Sequence, residues 1–203
     1  MMAIVVVNCF HWIGFHLTDK LLQAGYKVDG IDQLSTYKKE HLSMFLGRNS
    51  SFSLKEINFS HQYETCIIIK SFAHIDHIQA DRVIHIGHNE DTMLPRENKV
   101  MINIPILFGE WMPMSNYGIY NQNAFLPFDD LRISSEAIYI KDFARALLQW
   151  LQASYLLNSF HVKSSRDRSH VDDTNIIYLR DKKTISQNID DVIKHYKRFK
   201  AFY

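Results

Sequence analysis

The residues whose spacing could support chemistry lie near the start of the chain: a turn over residues 8–14 (NCFHWIG) and an acidic residue, Asp32. The turn joins a β-branched run, residues 4–7, to a segment in which apolar residues recur at helical spacing. Asp32 stands eighteen positions after Gly14, at the end of a second predicted strand. An acidic side chain at about this spacing contacts the adenosine ribose in dinucleotide-binding units. The turn and Asp32 are therefore the first candidate site.

The same residues carry a resemblance to a known family. Residues 7–17 (VNCFHWIGFHL) and 30–35 (GIDQLS) resemble the opening of the extended short-chain dehydrogenase/reductase superfamily, in particular its nucleotide-sugar epimerase/dehydratase branch. Members of that branch carry a T-G-x-x-G-F-I-G turn and a second strand ending in G-I-D-x-L. Similarity continues at residues 56–57 (EI, the family's D-I pair), 83–86 (VIHI, its fourth strand V-I-H-L), 104–111 (IPILFGEW, its R-x-x-x-V-Y-G-P segment) and 139–142 (YIKD, its Y-V-D-D).

The resemblance implies a site for NAD or NADP, but two of its three glycines are replaced. Asn8 stands at the first position, where a residue tolerant of positive φ is acceptable, and Gly14 keeps the third, which permits close helix–strand packing. His11 stands at the second, where a side chain occupies the space through which the pyrophosphate meets the helix. Either a protonated His11 contacts an anion, or His11 and Trp12 fill a vacated pocket. The candidate cofactor-binding residues are Asn8, His11, Trp12, Ile13, Gly14, Asp32 and Glu56.

The catalytic middle of the family has no counterpart in the sequence. Complete members carry the catalytic Ser or Thr and a Tyr-x-x-x-Lys helix in the interval that corresponds to residues 87–103, which is too short to hold them. The two Tyr-x-x-x-Lys spacings in this chain, Tyr178 with Lys182 and Tyr196 with Lys200, fall in the wrong topological places. The resemblance therefore implies no catalytic residue. It also implies that no cofactor is bound; if a cofactor does bind, NAD or NADP is expected. In an enzymatic alternative, Tyr117 or Tyr120 would replace the acid/base.

Other catalytic and metal-binding patterns are weaker. His74 with His77 and His85 with His88 are the closest histidine pairs, and neither has a second cluster to complete a metal site. The acidic pairs 129–130, 172–173 and 190–191 are adjacent residues, typical of solvated positions or helix starts. Cys9 is near His11, but a buried apolar role is favoured over a reactive thiol.

These candidates need an α/β frame to position them. We predict strands over residues 4–7, 27–32, 53–57 and 82–87, with helices over residues 15–24, 39–46 and 63–72 between them. Residues 99–108 form a further strand, either unusually placed or antiparallel, because the stretch before it is short for a parallel crossover. The remaining predicted elements are an extended piece over 124–132, a helix over 143–155 capped by Asp142, strands over 160–162 and 175–179, and a last helix capped by Ser186.

The predicted fold class is α/β: a Rossmann-like, mostly parallel sheet flanked by helices, with a small C-terminal lobe. We expect one domain over residues 1–203, made of a nucleotide-binding-like core over 1–110 and a reduced C-terminal lobe over 111–203.

Composition limits the classes of partner. The 203 residues are 46% hydrophobic and 13% aromatic, enough for one globular core, and 23 basic against 22 acidic side chains give a formal charge of +1. We expect no nucleic-acid partner, no membrane partner and a cytoplasmic location.

The sequence predicts a degenerate NAD-dependent epimerase/dehydratase-like protein that acts by binding or assembly. The alternatives are an NAD(P)-dependent nucleotide-sugar epimerase or dehydratase with altered catalytic residues, or a nucleotide-sugar binder without redox chemistry. A protein partner or a homo-oligomer of a non-family type is also expected.

Overall fold

The fold is built on a parallel sheet whose carboxyl edge carries the candidate residues. The computed structural model describes residues 3–56, 61–70, 78–87, 98–122, 124–153, 155–169 and 175–203. Its strands are β1 (Ala3–Val7), β2 (Lys27–Ile31), β3 (Phe52–Lys55), β4 (Gln62–Ile69), β5 (Gln79–Gly87), β6 (Lys99–Asn103), β7 (Leu107–Phe108), β8 (Gly118–Asn121), β9 (Ala124–Pro127), β10 (Ile138–Tyr139), β11 (Ser159–Ser164) and β12 (Ile176–Leu179). Its helices are α1 (Trp12–Gln23), α2 (Tyr37–Leu46), α3 (Leu131–Ser135), α4 (Ile140–Gln152) and α5 (Ile185–Arg198), followed by a 3₁₀ turn, Lys200–Phe202.

Eight of these strands form one sheet in the order β3-β2-β1-β4-β5-β6-β11-β12, with every pair parallel. The first six follow the 3-2-1-4-5-6 order of dinucleotide-binding folds, in which ligands bind where the strand order reverses, beside β1. The predicted α/β Rossmann-like class is confirmed.

The central strand β1 is buried on both faces, as its unalternating β-branched sequence predicts. Ile4 and Val6 join one core, and Val5 and Val7 join the other. All the buried apolar side chains of the described helices belong to the first core, whereas the second core contains no helical residue among those described. The described helices therefore cover one face of the sheet.

The predicted helix over residues 63–72 is wrong. The segment forms β4, which pairs with β1 and β5 at the centre of the sheet and continues to Ile69. A short apolar run such as residues 66–69 (CIII) does not separate a buried strand from a buried helix by periodicity, and its β-branched residues favour the strand. Consequently residues 83–86, matched above with the family's fourth strand, lie in the fifth strand, β5.

The alternative of an antiparallel strand near residues 99–108 is also wrong. β6 pairs in parallel with β5, with Asn103 opposite Gly87, and the run divides into β6 and β7 around Pro105. The connections from β4 to β5 and from β5 to β6 are residues 70–78 and 88–98. Each is shorter than the dozen or so residues usual for a parallel crossover. The shortening expected in the middle of the chain therefore affects two successive connections.

Two predicted helix caps are displaced by a few residues. Asp142 lies in the first turn of α4, which begins after Tyr139, and its carboxylate pairs with Arg145. Thr184, not Ser186, caps α5 and forms a capping box with Gln187. The predicted extended piece over 124–132 is β9 followed by α3. None of the described helices is long and apolar enough to cross a membrane.

Candidate functional site

Asn8 ties three strands together at the carboxyl edge of the sheet. Its backbone has a φ of 60°, as expected for a residue that replaces glycine in this turn. Its backbone N–H donates to the Ile31 carbonyl at 2.8 Å, and its side-chain amide donates to the Ile69 carbonyl at 2.8 Å. Asn8 thus joins the ends of β1, β2 and β4, so that its side chain takes a structural role.

Gly14 lets α1 lie directly against the end of β1. A Cβ built on Gly14 would stand 2.2 Å from the Asn8 carbonyl oxygen, far inside van der Waals contact. This is the role of the third glycine in dinucleotide-binding turns. The helix, and with it the N–H groups of its first turn, is therefore held in the position that such folds use.

His11 occupies the helix N-terminus as a neutral cap. The Ile13 N–H donates to His11 Nδ1 at 3.3 Å, and the backbone of His11 is extended, as at an N-cap. Burial, together with the charges of Lys70, Lys39 and Lys38, lowers the pKa of His11 to about 3. The protonated form that an anion contact by His11 would need is therefore not populated near pH 7. The side chain of Ile13 belongs to the core, so only its N–H faces this end, and His11 already uses it.

The carboxylate of Asp32 is satisfied by the chain itself. Its Oδ2 accepts from the Phe10 N–H at 2.8 Å, and its Oδ1 accepts from the Gln33 N–H at 2.7 Å and from Lys39 Nζ at 2.6 Å. The side chain is 2% exposed. A carboxylate offers about four acceptor positions, so three of them are occupied here.

Glu56 and Trp12 complete the set of candidates. Glu56 follows β3 and is exposed, and the β2–β3 register, in which Ile31 faces Lys55, places Glu56 beside Asp32. Trp12 begins α1 with its ring 6.0 Å from that of His11. The structure thus gathers the predicted residues at one edge, where His11 and Asp32 already bond within the chain.

A second polar cluster, which the sequence analysis did not identify, lies beside the middle of α1. Buried Glu110 accepts through Oε1 from the Tyr139 hydroxyl at 3.0 Å and pairs with Lys141. His16 on α1 is bonded through Nε2 to the Glu110 carbonyl at 3.0 Å and stands 3.8 Å from Glu110 Oε2. Glu110 Oε2 has no hydrogen-bond partner among the described residues. One sequence signal could have found this cluster: a carboxylate inside the apolar run of residues 104–112.

Burial decides the protonation states of this cluster. Burial, followed by the charge of Glu110, raises the pKa of Tyr139 further above its ordinary value, so the phenol stays protonated. Burial lowers the pKa of His16, although Glu110 opposes the shift. Burial alone would raise the pKa of Glu110, but His16 and Lys141 outweigh it and lower that pKa. The cluster therefore holds a carboxylate against a neutral phenol, without a phenolate base.

The comparisons with known proteins bear on the fold. No protein-family model and no curated protein matches the sequence. Among solved structures, the chain is similar to UDP-glucuronic acid 4-epimerase from Bacillus cereus, in complex with UDP-4-deoxy-4-fluoro-glucuronic acid and NAD, at 12% identity and a TM-score of 0.65 over 97% of this chain and 99% of that chain. It is similar to dTDP-glucose 4,6-dehydratase from Bacillus anthracis, in complex with NAD, at 9% identity and a TM-score of 0.65 over 100% of this chain and 99% of that chain. The fold is that of the NAD-dependent epimerases and dehydratases. Vestitone reductase from alfalfa is also similar, at 12% identity and a TM-score of 0.64 over 100% of both chains.

Within this epimerase/dehydratase fold, the two Tyr-x-x-x-Lys pairs lie away from the candidate edge. Tyr178 lies on β12, the edge strand of the sheet, with four strands between it and β1. Tyr196 is buried on α5, and Lys200 begins the 3₁₀ turn that follows. The substitute acid/base candidates, Tyr117 and Tyr120, are 78% and 48% exposed around β8. The structure therefore brings none of these tyrosines into a described contact with the turn or Asp32.

The remaining candidates have structural roles or fall outside the described residues. Cys9 is fully buried, and burial strongly raises its thiol pKa, which confirms the apolar role. His85 is buried on β5 with its Nε2 bonded to the Lys70 carbonyl at 2.9 Å. No group of three or more His, Cys, Asp or Glu residues in the described part of the chain could hold a metal ion. Outside the described residues lie Ile57, His74, His77, His88, Asp172 and Asp173.

Proposed function

We propose that this chain is a shortened, non-catalytic relative of the NAD-dependent epimerases and dehydratases, and that it acts by binding or assembly. The observation that carries the proposal is the bond from the Ile13 N–H to His11 Nδ1. A dinucleotide pyrophosphate needs the N–H groups at this helix end and the space that a glycine leaves there. In this chain a neutral imidazole accepts from one of these N–H groups, that of Ile13, and His11 stands at the position of the glycine.

The engagement of Asp32 supports the same conclusion. An adenosine ribose would donate its hydroxyls to this carboxylate, which already accepts from two backbone N–H groups and Lys39. Binding NAD in the usual way would therefore displace bonds of the chain as well as water. Displacing hydrogen bonds to a charged group costs about 1.5–3 kcal/mol each, which reduces cofactor affinity accordingly.

Chemistry after binding would need an acid/base near the cofactor edge. Among the described tyrosines, the one with a lysine and a carboxylate in contact is Tyr139, and its pKa is raised, the opposite of what a phenolate base needs. Tyr117 and Tyr120 lie exposed around β8. These positions favour the non-catalytic function over an epimerase or dehydratase with Tyr117 or Tyr120 as its acid/base.

A second candidate function is nucleotide or nucleotide-sugar binding without redox chemistry. It is favoured by the exposed carboxylate of Glu56 beside Asp32 and by the fold, which in a solved structure holds a UDP-sugar and NAD. In this case the edge would keep part of a nucleotide site even though the pyrophosphate position is filled.

Thermal unfolding of the full chain with added ligands tests these functions. Oxidised and reduced NAD and NADP and, separately, UDP-glucose are added to wild type and His11→Gly, with His61→Gly, a change at an exposed position, as the control. A ligand that binds only the native state stabilises it by about 2.7 kcal/mol at 100 times its Kd. We expect no shift for wild type or His61→Gly. His11→Gly should melt at a lower temperature and recover part of the loss with NAD.

The opposite outcomes are equally informative. A saturable rise in the melting temperature of wild type with NAD contradicts the proposal, and turnover of a UDP-sugar would then establish an enzyme. A rise with UDP-glucose alone identifies the nucleotide-sugar binder. Light scattering of the purified chain tests assembly, because a mass above 23.9 kDa reports a homo-oligomer.

A further inference from the structure

A polar cavity beside α1 lies away from the turn and Asp32. It has a volume of about 440 Å³ and opens between the second half of α1, the start of α4 and the first turns of α5. This volume lies within the range of pockets that hold small organic ligands. Asp19, Lys20 and Gln23 line it from α1, so it lies toward the opposite end of that helix from His11.

The lining of this cavity has an excess of positive charge. Five basic side chains face three acidic ones. Three of the basic groups are neutralised: Lys141 pairs with Glu110, Arg145 with Asp142, and Lys183 with Asp191 at 2.7 Å. Lys20 and Lys182 have no carboxylate within 4 Å among the described residues. The cavity therefore offers two ammonium groups without an ion pair in the described part of the chain, against one remaining carboxylate, that of Asp19, which accepts from Gln23 at 2.7 Å.

The cavity also contains an unsatisfied amide. Asn188, on the second turn of α5, lines it and is 1% exposed. Neither its Oδ1 nor its Nδ2 has a hydrogen-bond partner among the described residues. Buried amides are normally bonded, and each of these atoms offers a specific complement: Oδ1 accepts one hydroxyl and Nδ2 donates to another oxygen.

We propose that this cavity binds a small phosphorylated polyol of the size of a hexose phosphate. A phosphate monoester carries close to two negative charges at neutral pH, which matches the ammonium groups of Lys20 and Lys182. Both Asn188 amide atoms have almost no accessible surface in the free protein, so the polyol hydroxyls would supply the missing donor and acceptor once this side chain turns toward the cavity. The residues that carry this site are separate from those that carry the proposed function, so each can fail without the other.

Calorimetric titration of the full chain tests the site with three probes: glucose 6-phosphate, glucose and inorganic phosphate. We expect saturable binding of glucose 6-phosphate, at least tenfold weaker binding of inorganic phosphate, and no binding of glucose. Two variants separate the contributions: Lys20→Met with Lys182→Met, and Asn188→Leu. Lys197→Met, an exposed lysine of α5 outside the cavity lining, is the control.

Each variant has a distinct expected result. The double lysine variant should bind glucose 6-phosphate at least tenfold more weakly at low salt, and the control should bind as wild type does. Asn188→Leu should remain folded by circular dichroism and lose discrimination between glucose 6-phosphate and phosphate. The proposal is overturned if wild type binds none of the probes, if both variants bind glucose 6-phosphate as wild type does, or if phosphate alone binds equally tightly.

Discussion

Two polar regions, one at the N-terminus of α1 and one beside its middle, differ in how their hydrogen bonds are satisfied. In the turn region, residues 8–14 with Asp32, each named polar side chain bonds within the chain: Asn8 to Ile69, His11 to Ile13, and Asp32 to three donors. In the Glu110 region, which we define as His16, Glu110, Tyr139, Lys141 and Asn188, buried atoms of Glu110 and Asn188 have no partner among the described residues. The difference indicates that the turn region, where the resemblance implies the cofactor, is the one adapted to stability.

The largest expected effect is that of Gly14→Ala. The new Cβ would meet the Asn8 carbonyl oxygen at 2.2 Å, so α1 must move off β1 and disturb the bonds of Asn8 to two neighbouring strands. We expect a loss of about 3 kcal/mol or more in the free energy of unfolding, measured by urea denaturation. Gly25→Ala is the control, because its φ of 87° strains an alanine but no atom lies within 4 Å of the new Cβ. It should lose about 1–2 kcal/mol, and an equal or smaller loss for Gly14→Ala would show that α1 accommodates the new Cβ without losing its packing on β1.

Asp32→Ala should produce the next largest effect. It leaves the Phe10 N–H, the Gln33 N–H and the buried end of Lys39 without their acceptor. We expect a loss of about 2–3 kcal/mol in unfolding free energy by the same measurement. Asp130→Ala is the control, since its carboxylate pairs with Arg132 near the surface and caps the short helix α3, and it should lose clearly less than Asp32→Ala. A loss for Asp32→Ala no greater than this would mean that the carboxylate is free to meet a ligand, which would favour the nucleotide-binding alternative.

The fold could largely be predicted from the sequence because its signals are local. The β-branched run of β1, the stop at Gly25 with positive φ, and the acidic end of β2 each follow from backbone preferences within a few residues. β4 was predicted wrongly because CIII suits either a buried strand or a buried helix, and the difference depends on β1 and β5, which are distant in sequence. The accuracy of the prediction was therefore limited by the position of each strand in the sheet, which the local sequence pattern does not specify.

The candidate site was predictable in part, for a similar reason. Asn8, Gly14 and Asp32 fall on a known spacing, so their common edge follows from parallel topology. The Asp32 carboxylate accepts hydrogen bonds from the Phe10 N–H and from Lys39. These bonds depend on side-chain packing, which cannot be predicted from the spacing. The Glu110 region was missed because its members come from α1, the loop after β7, β10, α4 and α5, most of which lie far apart in the sequence.

Acid sensitivity provides a third test, because both regions contain a buried histidine of lowered pKa. Burial lowers the pKa of His11 to about 3 and of His195, on α5, to about 4, and it lowers that of His16. The unfolded chain therefore binds these protons first as the pH falls below about 6.5, so stability decreases from there toward pH 4. For His11 and His195 we expect a loss of about 1–2 kcal/mol each between pH 7 and pH 5, and for His16 a loss in the same direction, measured by urea denaturation at each pH.

The variant His11→Asn measures how much of this loss of stability in acid comes from the turn region. Asparagine can still cap α1 but does not titrate, so this variant should lose less stability between pH 7 and pH 5 than wild type, while His61→Asn should follow wild type. An unchanged pH dependence for His11→Asn would place the acid sensitivity outside the turn region.

The smallest expected effect, and the sharpest contrast with Asp32, is that of Asn188→Leu. A buried amide without partners stabilises nothing through hydrogen bonds, and replacing it by an apolar side chain removes its desolvation cost, while the adjoining cavity leaves room for the extra volume. We expect a change within about 0.5 kcal/mol of zero or a gain of up to about 1 kcal/mol in unfolding free energy. Asn98→Leu is the control, because the amide of this exposed asparagine donates to two carbonyls at 2.8 Å, and it should lose about 1 kcal/mol. If Asn188→Leu loses as much as Asn98→Leu without added ligand, its amide is already satisfied in the free protein. The two regions would then not differ, and the cavity would have no unsatisfied group with which to select a polyol.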